Sequence, residues 1–244
     1  MLSTASFFGL LCFVFFALLT PATANFQLPN LHVFSEVSFP KLSLHAQEHN
    51  FDSFDLEDAL SPASSTSVAL ALPNACAAYE GPGNECTAGM TATAVTYEDC
   101  GNTFSVCRCA DANMTMDTVV DRLGRVPVGL RRFLGTVMVL GGETQAYTNL
   151  TNGDIHFFGD CQMDTWIHEA AHTFDYAIPN TPHSNSVGWE NATLQDSCAP
   201  DDYALTNQVE DFAQMTVINI YMLLHNGNLP LGFQAACMQN QLNL

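Results

Sequence analysis

The sequence predicts an α+β fold: a small sheet packed on a helix that carries His168 and His172, a second helix that carries Glu210, and disulfides stapling the whole. Three observations predict it. Residues 154–158, Asp-Ile-His-Phe-Phe, read as a short apolar strand, and Asn152-Gly153 before them as a hairpin turn. Trp166, Ile167, Ala170, Ala171 and Phe174 recur at helical spacing, with Asp164 and Thr165 offering N-cap chemistry. Val209, Phe212, Ala213, Thr216, Val217, Ile220, Leu223 and Leu224 fall on one stripe of a longer helix, with Asn207 placed to cap it.

The elements follow in order. Residues 7–19 form a short apolar run followed by Pro21-Ala22-Thr23-Ala24, so residues 1–24 read as a secretory signal peptide cleaved after Ala24. The run is short for a membrane span. A secreted, extracellular protein is expected. Residues 25–72 lack periodicity and cysteine, hold the acids Asp52, Asp55, Glu57 and Asp58, and read as a propeptide or flexible N-terminal arm. Residues 73–244 have the composition of one globular domain, long enough to bury a core. Within it, Met116 to Leu123 and Val128 to Phe133 look helical, and Thr136 to Leu140 and Gln145 to Thr148 look like strands.

Cysteine and charge bound the class. Cys12 lies in the signal region, which leaves Cys76, Cys86, Cys100, Cys107, Cys109, Cys161, Cys198 and Cys237. An even number in an exported chain suggests four disulfides. Eight cysteines allow on the order of a hundred connectivities, so spacing does not settle the pairing. A bridge from Cys198 to Cys237, bracketing the Glu210 helix, is the one guess made. Asn113, Asn149 and Asn191 head glycosylation sequons. Six basic residues face twenty-five acidic ones, which argues against nucleic-acid and anionic-membrane partners. Nothing in the sequence sets the oligomeric state.

The chemistry concentrates in His168-Glu169-Ala170-Ala171-His172. An H-E-x-x-H helix puts two imidazoles one turn apart on one face, where both reach one zinc ion, and its Glu can take a proton from metal-bound water. This is the chemistry of a zinc peptidase. A metzincin needs Gly three and His six residues after the second His; Asp175 and Ile178 stand there instead. The third ligand is then a carboxylate from the second helix, and Glu210 in its first turn is best placed, with Asp211 as its neighbouring rival. Asp175, close after His172, is expected to orient an imidazole. His156 on the preceding strand is a structural or substrate-side residue.

The stretches His168 to Tyr176 and Tyr203 to Ala213 resemble the catalytic core of the gluzincin metallopeptidases, and among them the anthrax lethal-factor-like branch. The likeness covers residues 164–222 and departs at Ala171, where that branch has Gly, and in the disulfides. The chain also resembles secreted, cysteine-rich fungal proteins described as metallopeptidases. The resemblance implies a zincin-like fold, zinc on His168, His172 and Glu210, Glu169 as general base and Tyr203 as oxyanion stabiliser. The expected activity is that of a secreted zinc metalloendopeptidase acting on a protein or peptide substrate. The alternatives are a non-catalytic secreted cysteine-rich surface or host-interaction protein, or a zinc hydrolase of non-peptide amides.

Overall fold

The computed structural model describes residues 42–47, 53–177 and 181–244. The signal peptide expected at 1–24 lies outside them. The helices are α1 (Ser53–Ala59), α2 (Asn74–Ala77), α3 (Met116–Arg125), α4 (Val128–Arg131), α5 (Met163–Asp175), α6 (Val187–Gln195), α7 (Gln208–Leu224) and α8 (Gln239–Leu242). The strands are β1 (His45–Ala46), β2 (Ser65–Leu70), β3 (Met90–Tyr97), β4 (Thr103–Cys109), β5 (Val137–Leu140), β6 (Gln145–Asn149), β7 (Asp154–Phe158) and β8 (Cys198–Ala199). The protein is therefore α+β and disulfide-stapled. No helix among the described residues is long and apolar enough to cross a membrane.

Six strands form one mixed sheet in the order β2-β3-β4-β5-β7-β6. β5 runs parallel to both β4 and β7, and the other pairings are antiparallel. β6 and β7 form the hairpin expected at Asn152-Gly153: Asn149 faces Asp154 across the register, and Gly153 takes φ 74°, a turn conformation glycine reaches without steric cost. Side chains alternate between the faces of a strand, which sorts the sheet into two sides. On one side Val95, Phe104, Val106, Val137, Val139, Ile155 and Phe157 pack with residues of α1, α3, α5 and α7. Trp166 of α5 stacks on Phe157 with ring centroids 3.9 Å apart. Burying side chains of this size contributes roughly 1.5–3 kcal/mol each, so this layer holds α5 against the sheet.

The other side carries Ala92, Cys107, Cys109, Met138 and Leu140 under a cap formed by α2 and the loop after it. The bridges Cys76–Cys107 and Cys86–Cys109 fasten this cap to β4. The third bridge joins Cys198 to Cys237, as guessed from the sequence. The expectation of four bridges is corrected to three among the described residues, because Cys100 and Cys161 are unpaired. Cys100 sits in the turn between β3 and β4. Cys161 is buried beyond β7, its thiol donating to the Phe158 carbonyl at 3.2 Å, and β5 stands between the two places.

Two local readings also change. Helix α5 starts at Met163 after Gln162, so Asp164 lies in its first turn, where a carboxylate suits the helix dipole, and not at its cap. The boundary expected at residue 73 does not separate the described part of 25–72 from the rest. β2 pairs with β3 over six residues, Leu56 of α1 is fully buried, and Arg125 donates to the Glu57 and Leu60 carbonyls. β2 is exposed on nearly its whole length, so it shows none of the alternation by which a strand announces itself in sequence. Of the sequons, Asn113 and Asn191 are exposed, whereas Asn149 is half-buried and accepts from the Thr151 amide.

A candidate metal centre

His168 and His172 stand one turn apart on α5, buried under α7. Glu210 occupies the first turn of α7. That turn is fixed by Asn207, whose side-chain oxygen accepts from the Val209 and Glu210 amides at 2.8 and 3.1 Å. The packing of α5 against α7 brings three atoms together: His168 Nε2, His172 Nε2 and one Glu210 carboxylate oxygen are separated by 3.1, 3.1 and 3.2 Å. Among the described residues this is the one group of three metal-ligating side chains so arranged. A tetrahedral zinc ion with bonds of about 2.0–2.1 Å spaces its ligand atoms by about 3.3 Å. The near-equilateral triangle and its two-nitrogen, one-oxygen donor set therefore fit a divalent cation.

The electrostatics are those of a coupled cluster. Burial pushes the Glu210 carboxyl up, but the hydrogen bonds and charge of the two imidazoles hold it well below the usual carboxylate range. Burial disfavours charge on His168, yet Glu210 and Glu169 outweigh it and raise the imidazole above its ordinary value. A cation would replace the protons that these groups now share.

Further side chains orient the cluster. His168 Nδ1 lies 3.0 Å from Gln214 Oε1, and the Gln214 amide donates to Asp201 at 2.5 Å. A carbonyl oxygen on Nδ1 makes that nitrogen the proton-bearing one and leaves Nε2 free to ligate. The sequence reading missed Gln214, although it lies four residues after Glu210 and so shares a helix face with it. Thr148 of β6 was also missed. Its hydroxyl donates to the Glu169 carboxylate at 2.6 Å and to the Glu169 carbonyl at 3.0 Å. Its position beside Glu169 comes from β6 crossing α5, which no local pattern encodes.

The remaining candidates divide. Glu169 and Tyr203 both line two small cavities beside the triad, of about 310 and 120 Å³. Tyr203 is 54% exposed with its ring 5.6 Å from that of His168, and burial together with the Glu210 and Glu169 carboxylates raises its pKa to about 12. Asp175 is fully buried, but it accepts from the Ser184 amide at 2.7 Å, and no bond joins it to His172 Nδ1. Asp211, the rival of Glu210, points instead to Gln241. His156 lies on the far side of the sheet. Its neighbours Ile155 and Phe157 face α5, so its ring faces the disulfide cap, with Nδ1 2.6 Å from Glu85 and 3.0 Å from the Tyr147 hydroxyl. The substrate-side role considered for His156 is corrected on that ground.

Fold and site together define a disulfide-stapled α+β domain with a His₂Glu cluster, its imidazoles buried and its carboxylate half-buried, suited to a divalent metal. The chain belongs to the family of the conidiation-specific protein Con-13, whose model matches residues 43–244. It is 33% identical over 134 residues to "Conidiation-specific protein 13" of Neurospora crassa, an alignment covering 52% of this chain and 39% of that protein. The match thus spans well under half of the Neurospora protein's length. No solved structure matches the chain.

Family membership corrects the resemblance to the gluzincins and to fungal metallopeptidases, and with it the expectation of a secreted zinc metalloendopeptidase and of a protease as such. The physical reason lies in what the motif encodes. H-E-x-x-H with a distant Glu describes a spacing of donor atoms, and spacing alone specifies neither what enters a cleft nor what reacts there.

Proposed function

We propose that this chain is a non-catalytic, zinc-binding member of the Con-13 family that serves in conidiation. The observation that carries the metal reading is the triangle of His168, His172 and Glu210, with sides of 3.1–3.2 Å. His168 and His172 present Nε2, Glu210 presents a carboxylate oxygen, and Gln214 holds His168 in the ligating tautomer. Bound there, zinc would supply a positive charge that ties α5 to α7. Glu169, buried beside the triad with its carboxylate held by Thr148, adds negative charge that favours a cation. In this reading the sheet, α5 and α7 form a zincin-like layer used for binding. The role in conidiation rests on the name of the Neurospora relative and on the family.

Secretion belongs to the same reading. The apolar run at 7–19 and three disulfides support an oxidising compartment, where such bridges persist.

Metal analysis of the purified protein beside its Glu210→Ala variant tests the reading. One equivalent of zinc is expected in the parent, with retention lowered by at least about tenfold in the variant, since a ligand is lost outright. Equal zinc in both, or none in the parent, sinks it.

A further inference from the structure

The sheet ends at β2, whose strand partner among the described residues is β3 alone. The Glu98 amide donates to the Ser64 carbonyl just before β2 starts, which fixes the phase of the ladder. Residues opposite each other in an antiparallel pair exchange backbone bonds in alternation, so Thr66, Val68 and Leu70 turn their backbone groups to β3. Ser65, Ser67 and Ala69 turn theirs outward, and among the described residues nothing bonds them. An open row of N–H and C=O groups is a template for another strand, and natural sheets guard it with charge, proline, a bulge or a covering element. β2 has none of these. Its sequence is Ser-Thr-Ser-Val-Ala-Leu, its register with β3 runs without a skip, and every residue after Ser65 is exposed, Val68 to 65% and Leu70 to 40%. Charge narrows what can lie there. The chain carries a net charge of −19, yet residues 59–79 hold no Asp, Glu, Lys, Arg or His. A basic partner would find no carboxylate along this edge, whereas two acidic copies can meet here without setting like charges face to face.

We propose that two copies of this chain pair through β2, antiparallel about a two-fold axis, and join their sheets into one. Centred on Ser67, this register sets Ser67 against Ser67 and Ser65 against Ala69 of the other copy, and each such pair exchanges two backbone bonds. Thr66 and Val68 then face each other across the seam, a β-branched pair of the kind that supports sheets. The antiparallel sense also follows from charge. Glu98 stands beside the Ser64 end of β2, so antiparallel pairing sets it by the Leu70 end of the other copy, within the uncharged stretch. Parallel pairing sets both Glu98 carboxylates at the same end. The two-fold interface closes on itself, which gives a dimer and no larger assembly. A seam of six residues per copy is small among stable interfaces, so the dimer is reversible and forms as concentration rises.

Sedimentation velocity on the full chain, from about 1 μM to about 1 mM, tests this across tight and weak affinities. All samples carry Cys100→Ser, which excludes a covalent dimer through that unpaired thiol. The parent is expected to pass from monomer to dimer over the range. Ser67→Pro removes an outward amide and no ladder bond, as an edge strand tolerates, and is expected to stay monomeric. Ser67→Lys sets like charges opposite each other at the two-fold axis and is expected to weaken dimerisation several-fold, less so in high salt. Amide exchange supplies a readout that a folding defect does not imitate. Ser65, Ser67 and Ala69 are expected to gain protection in the dimer, whereas Thr66, Val68 and Leu70 are protected in monomer and dimer alike. The proposal is overturned if the parent stays monomeric at the highest concentration or if either Ser67 variant dimerises as the parent does. It is overturned equally if the outward amides are protected in the monomer, since another part of the chain would then lie on the edge. Glu210→Ala is expected to dimerise like the parent, whether or not zinc binds; a monomeric Glu210→Ala overturns the proposal, since the contact would then depend on the metal cluster.

Discussion

Glu210 and Asp211 are neighbours in sequence and opposites in chemistry. Glu210 faces two imidazoles, which hold its carboxyl far below the usual range. Asp211 faces the interior, bonded to Gln241, and burial, with Asp201 and Asp196 adding to it, pushes its pKa up to about 8. A carboxyl raised in the folded state keeps its proton after the unfolded chain has lost its own, so its contribution to stability falls as pH rises. The window runs from the unfolded value of about 4 to the folded value of about 8. Asp211→Asn removes that dependence. Denaturant midpoints from pH 5 to pH 8 should show the parent losing stability relative to the variant, by about 1–3 kcal/mol across the range. A parent-to-variant difference that stays constant with pH would show that Asp211 does not carry a raised pKa.

At the scale of elements, α7 supplies Glu210 and Gln214, and its position decides whether the triad exists at all. Three features place it: the Asn207 cap, the packing against α5, and the Cys198–Cys237 bridge. That bridge spans 39 residues and encloses the whole helix. In the chain-entropy picture a loop of this length stabilises by about 2–4 kcal/mol. The double variant Cys198→Ser, Cys237→Ser should lower the unfolding free energy measured in urea by that amount. No loss of stability would mean that the unfolded chain is constrained by other means. The elements also differ in how visible they were beforehand. α5, α7 and the β6–β7 hairpin carry their periods and turn residues in local sequence. β2 carries none, being an exposed strand whose identity comes from pairing with β3.

For the whole molecule, the proposed zinc would be a ligand of the folded state alone, because the triad joins residues 42 positions apart. Free zinc at a hundred times its dissociation constant should stabilise the fold by about 2.7 kcal/mol. That corresponds to a rise in melting temperature of roughly 5–10 °C for a domain of this size. Calorimetry with and without zinc at pH 7 checks this. The gain should vanish at pH 5 and below, as protons displace the metal from the imidazoles. A shift of equal size in His172→Ala would place the stabilising ion elsewhere.

The sequence by itself determined which residues stand one helical turn apart, where the hairpin turns, that the chain is acidic, and that cysteines staple it. Each of these is a local or compositional property, set by side-chain spacing of a few residues. Only the tertiary structure decided that Glu210 and not Asp211 meets the imidazoles, that His156 faces away from them, and that Cys76 and Cys86 bridge to Cys107 and Cys109 while Cys100 and Cys161 stay unbridged. It also decided that Gln214 and Thr148 support the cluster. These contacts join distant stretches through the way helices pack on a sheet, and packing follows from the summed burial of the whole core, which no short window of sequence contains.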